Sequence, residues 1–283
     1  MSGRISKRVS RCLAWASSTL LLAVASAASA EPRIPSLASA DFGWQSNVAD
    51  WQEPPPGSGH GPIKPDPDHP FTSNAEGGRT GTQPTKRIGN YKDPVLKPWV
   101  AAAMKASNEE ALASVEKIPF AAQARCYPGS VPGQLLFPFE PVYFIQNPNE
   151  VWMIWQRDHL VRRIYLTDKH SEHVTPSWFG ESIGHYENGD TLVVDTVGLS
   201  TRISYIDNFR TPHSEKLHVV ERFTLEPGGK GMSALVTVED PDTLNASGSS
   251  TVTNAFMFLP PGSMVKRSTT CSFSLCGVRK LSM

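Results

Sequence analysis

Gly180-Glu181-Ser182-Ile183-Gly184 has the spacing of a hydrolase nucleophile elbow, and its surroundings decide whether Ser182 attacks anything. A G-x-S-x-G serine is reactive when it sits on a sharp strand-to-helix turn, its hydroxyl projecting beside backbone donors. Here His185-Tyr186-Glu187 leads instead into the turn Asn188-Gly189-Asp190 and the apolar run 191–197. That is the pattern of a β-hairpin, which makes Ser182 a strand residue.

Two charges stand where apolar residues are expected. Side chains of a strand alternate between its faces. In residues 159–166, Arg162 shares a face with Leu160, Ile164 and Leu166; in 217–225, Glu221 shares one with Val219, Phe223 and Leu225. A buried charge persists only when paired and hydrogen-bonded. Arg162 and Glu221 are therefore expected to meet inside the fold, with Asp195 as a third candidate. The strand carrying Asp195 is apolar on both faces, so its direction is open. Two readings stand side by side: an ion pair that fixes strand register, or a polar floor in an apolar pocket, where an Arg fork suits a carboxylate or phenolate. Trp152 and Trp178 are expected in the core or pocket wall.

The histidines His159, His170, His173, His185, His213 and His218 show neither an HxH nor an HExxH spacing, so neither a metal site nor a cofactor is expected. His185 and His213 are the candidate general bases of any enzymatic reading, because strand ends and loops rim a barrel mouth.

The elements that must position these residues are short β-rich runs at 142–146, 151–156, 159–166, 182–187, 191–197, 217–225 and 233–239, mostly joined by hairpin-sized breaks. They predict a mainly β, antiparallel meander closing into a lipocalin-like barrel. One helix is expected from Pro98 to about residue 115, with Trp99, Ala102, Ala103, Ala106 and Ala113 as its apolar stripe. Residues 31–98 are expected to form a Pro-rich irregular arm packed on the domain through Trp44 and Trp51. The barrel domain spans 99–246.

Residues 1–30 read as a cleavable signal peptide: a basic leader with Arg4, Lys7, Arg8 and Arg11, an apolar run from Leu13 to Ala25, and the small-residue site Ala28-Ser29-Ala30. The run is too short to span a bilayer, which takes about 20 residues, so no integral membrane segment is expected after cleavage. The expected location is periplasmic or secreted. The 27 Lys and Arg less those four leave 23 against 27 Asp and Glu, which argues against a nucleic-acid partner. Cys126, Cys271 and Cys276 remain, an odd number for an oxidising compartment. The residues carry no signal for an oligomeric state.

The segments HLVRRIYL (159–166), SWFGESIGHYENGDTLVVDTVG (177–198) and TPHSEKLHVVERF (211–223) together resemble a family of exported bacterial proteins whose members read HxxRRI, GxSIGxWEGDTLVVDT and LHVxERF. Tyr186 stands where the family has Trp, and Asn188 is an extra turn residue. The likeness runs from about Phe42 to Asn245 and implies an exported barrel with no settled activity. After Asn245 it stops. Residues 247–283 hold four basic residues and no acid, which fits either a changed reading frame or a solvated, basic-ended tail, and leaves closure of the barrel open.

The expected function is binding of a small amphipathic molecule, aromatic or fatty-acid-like, with Arg162 and Glu221 anchoring its polar end. The alternative is a cofactor-independent lyase or isomerase acting on a small aromatic compound. A third reading is an envelope protein whose barrel is filled solid.

Overall fold

The computed structural model describes residues 34–38, 43–46, 50–82, 85–113, 127–136, 141–245 and 250–258, the last stretch as backbone. The leader 1–30, Cys126, Cys271, Cys276 and residues 259–283 lie outside the described residues.

Nine strands close into a barrel in chain order. They are β1 (Trp44–Ser46), β2 (Val142–Gln146), β3 (Glu150–Trp155), β4 (Val161–Tyr165), β5 (Glu181–Glu187), β6 (Thr191–Val197), β7 (His218–Leu225), β8 (Gly231–Glu239) and β9 (Ser250–Phe258). The seven β-rich runs read between turn residues are β2 to β8, displaced by at most two residues at either end. Closure comes from two strands that the pattern did not single out. β1, within the Pro-rich arm, pairs with β2 at Trp44↔Val142 and with β9 from Trp44↔Phe258 to Ser46↔Phe256. β9, in the atypical tail, also pairs with β8 from Gly231↔Met257 to Val238↔Ser250.

One pair departs from the expected antiparallel meander. β4 and β5 run parallel, with Ile164↔Ser182 and Tyr165↔Ile183 in register. Parallel neighbours require a crossover of about a dozen residues or more, and residues 166–180 supply it. Gly180 ends this crossover at φ +61, where a Cβ would stand 2.3 Å from the Val197 carbonyl oxygen.

The strand directions give the barrel two distinct ends. The mouth carries the tight turns at 147–149, 188–190 and 226–230. The base carries the long connection 198–217 and residues 240–245, which follow β8. Helix α2 (Pro98–Ala113) and the chain before it pack at the base: Lys97 N–H donates to the Thr243 carbonyl at 3.0 Å and Asn245 N–H to that of Val95 at 2.8 Å. The buried face of α2 is Val100, Met104, Asn108 and Ala111. The alanine stripe read from sequence faces outward instead, because the larger Val100 and Met104 bury more apolar area and Asn108 clasps the backbone of Gly89. A second helix, α1 (Asn74–Thr80), lies inside the supposedly irregular arm. The Ser73 hydroxyl accepts from Glu76 N–H at its start, and Gly81 at φ +75 ends it.

The core is the inward-facing set of alternate residues: Phe144, Val151, Met153, Ile164, Leu192, Val194, Val219, Phe223, Met232 and Val236, all at most 2% exposed. Among the described residues, no helix is long and apolar enough to cross a membrane.

Candidate functional site in the barrel lumen

Arg162 and Glu221 lie inside the barrel, 2% and 0% exposed. Arg162 follows the inward phase of Ile164 on β4; Glu221 follows that of Val219 and Phe223 on β7. Between them, β5 and β6 present Ser182 and Thr196, which face each other in register. The guanidinium donates from Nη1 to Glu221 Oε1 at 3.0 Å and from Nη2 to Glu221 Oε2, a bidentate pair. Its Nε donates to Ser182 Oγ at 3.1 Å, and Nη2 also donates to Thr196 Oγ1 at 2.8 Å. The two hydroxyls are 3.0 Å apart. Four consecutive strands thus each contribute one polar side chain to a single network in an apolar lumen. Ser182 is the strand residue its hairpin context predicts: β5 continues into β6, and its hydroxyl serves as a partner of Arg162.

Asp195 does not join this network. β6 turns Leu192, Val194 and Thr196 inward, so Asp195 points out. There its Oδ1 meets His170 Nε2 and His218 Nε2, each at 3.0 Å. The other ring nitrogens face Glu181 Oε1 at 3.0 Å and Glu239 Oε2 at 3.3 Å. The result is an external ladder, Glu181–His170–Asp195–His218–Glu239, running from β5 to β8 with the crossover residue His170 stapled into it. The hydrogen bond from His218 holds the Asp195 carboxyl below its usual range, and the same contact raises the His218 imidazole above its own.

The remaining candidates fall elsewhere. Trp152 is on the outer face of β3, with the Arg163 guanidinium 5.8 Å from its ring centre. Trp178 lies in the crossover, 5.4 Å from the Tyr127 ring, and its carbonyl accepts from Ser130. His185 is exposed on the outer face of β5 beside Glu187. His213 is buried at the base: the Ser214 carbonyl is 2.8 Å from Nδ1 and the Ser204 hydroxyl 2.7 Å from Nε2, and burial pushes its pKa down. Among the described residues, no three His, Cys, Asp or Glu side chains are placed to hold a metal ion.

The mouth holds two uncharged polar residues, which a charge on an apolar face does not mark. Gln146 continues the inward phase of Val142 and Phe144, and Tyr186 that of Ser182 and Gly184. Gln146 Nε2 donates to the Tyr186 hydroxyl at 2.9 Å, joining β2 to β5 across the ends of β3 and β4. Burial pushes the Tyr186 phenol up, so it stays a neutral hydroxyl. Period-2 counting carried one step past the apolar residues of each strand would have found both.

The chain matches no family model and no curated protein.

Proposed function

We propose that the chain binds a small amphipathic molecule, aromatic or fatty-acid-like, inside its barrel. The observation that carries this reading is a buried polar network, Arg162 with Glu221, Ser182 and Thr196, set among the apolar inward-facing side chains Phe144, Leu192, Phe223 and Met232, with a second polar pair, Gln146 and Tyr186, at the mouth ends of β2 and β5. Small barrels commonly hold one ligand between apolar walls with a few placed polar groups. The lyase or isomerase reading needs a proton shuttle beside Arg162 and Glu221. It is less favoured, because His185 faces outward and His213 is held at the base by Ser204 and Ser214.

A second reading, a barrel that is structural only, is favoured by one specific observation. Glu221 already holds Arg162 bidentately, with solvent excluded from both. The basic leader, the apolar run and the family resemblance support export, and we place the mature protein in the periplasm or outside the cell.

The experiment is mass spectrometry of small molecules extracted from the purified native protein, followed by thermal unfolding with fatty and aromatic acids. The binding reading expects a co-purified amphipathic compound and saturable stabilisation; a hundredfold excess over Kd is worth about 2.7 kcal/mol. An empty extract together with an unmoved Tm across the panel leaves the structural reading standing.

A further inference from the structure

We propose that the mouth of the barrel is a binding site for an aliphatic group carrying an adjacent amide, and that Leu37 of the chain's own N-terminal segment occupies it as a displaceable surrogate. The inference rests on the binding reading and says where the ligand's polar end sits.

Residues 34–38 form an extended strap with alternating burial: Pro35 and Leu37 are buried, while Ile34, Ser36 and Ala38 are exposed. Leu37 is 0% exposed and packs in the main apolar cluster. Among the described residues, no backbone hydrogen bond ties the strap to a strand. Inward-facing side chains hold its peptide groups instead. Gln146 Oε1 accepts from Leu37 N–H at 2.7 Å and from Ala38 N–H at 3.3 Å, while Nε2 donates to the Pro35 carbonyl at 2.9 Å. Trp44 Nε1 donates to the Leu37 carbonyl at 3.0 Å. Trp44 is inward because it pairs directly with inward Val142, and paired residues share a face. The strap is therefore gripped from within the lumen.

This is how a ligand is held, with an apolar group inserted and its amide read by a carboxamide fork and an indole N–H. It also differs in kind from the deeper polar network. Arg162 and Glu221 are engaged with barrel residues that cannot leave. Gln146 and Trp44 are engaged with an irregular segment that can. A ligand with its aliphatic part in place of the Leu37 side chain, one amide against Gln146 and a second carbonyl against Trp44 Nε1 would replace the strap's contacts to both side chains, so exchange leaves neither of them orphaned.

The test uses the mature chain, its Leu37→Gly variant and the probe N-octanoyl-leucinamide, with calorimetry for affinity and hydrogen exchange for the strap. A strap closed about nine-tenths of the time lowers apparent affinity about tenfold, so Leu37→Gly is expected to bind the probe about ten times more tightly. In the parent protein, saturating probe is expected to speed exchange at the Leu37 and Ala38 amides. Equal affinities, or a bound probe that leaves strap exchange unchanged, would overturn this proposal while the binding reading survives. A folded Leu37→Gly variant that takes neither the probe nor any fatty or aromatic acid would overturn both. The parent's own exchange response keeps the test decisive should Leu37→Gly fold poorly.

Discussion

Arg162 illustrates how one side chain can be costly to remove alone and cheap to remove with its partner. Taking away one member of a buried pair leaves an uncompensated charge, whereas replacing both with apolar residues of similar volume is often neutral or stabilising. Arg162→Met is expected to lower unfolding free energy by about 3–5 kcal/mol, and Arg162→Met with Glu221→Leu to recover most of the loss, as read by urea denaturation. On the outer wall, His218 and Asp195 give a pH signature. The His218 pKa is raised, so its contribution is fully present below the ordinary imidazole value of 6.5 and is lost as pH rises through the folded pKa. The Asp195 pKa is lowered, so its contribution is present above 3.8 and is lost as pH falls through the folded pKa. The stability difference between the parent and His218→Gln should therefore be greatest between these limits and shrink toward pH 9 and pH 3. Buried His213 acts in the opposite sense on the acid side: its lowered pKa takes stability away as pH falls through 6.5 in both proteins, so it cancels in the difference.

At the scale of elements, the crossover 166–180 creates the parallel β4–β5 pair and thereby sets Ser182 beside Arg162. Its exit depends on Gly180, whose φ of +61 and close approach to Val197 leave no room for a side chain. Gly180→Ala is expected to cost about 1–3 kcal/mol, the range for a strained backbone position, and thermal unfolding would measure it. The run from Thr167 to Gly180 was legible as a break too long for a hairpin, but its direction was not. Strand alternation says which face a residue takes and is silent on whether the next strand runs up or down. The same limit explains α1. Ser73 and Gly81 are readable cap residues, yet the surrounding prolines and glycines made the whole arm look irregular.

For the whole molecule, closure is the decisive feature. β9 lies between β8 and β1 and gives both edges a partner. A chain ending at residue 249 is expected to expose those edges, which are templates for intermolecular pairing. Light scattering should then show aggregation of the shortened chain under conditions where the full chain stays dispersed. A shortened chain that stayed monomeric with unchanged β content would show that β9 is dispensable.

The amino-acid order alone determined the seven central strands and the inward aim of Arg162 and Glu221. A two-residue period assigns faces locally, and a charge on an apolar face has few other places to go. It could not orient Asp195, because β6 is apolar on both sides and only the pairing with β5 and β7 chose its phase. Nor could it assign Leu37, Trp44, Gln146 and Tyr186 to one mouth. Those residues are far apart along the chain, and contacts between them exist only once the sheet has curled and closed.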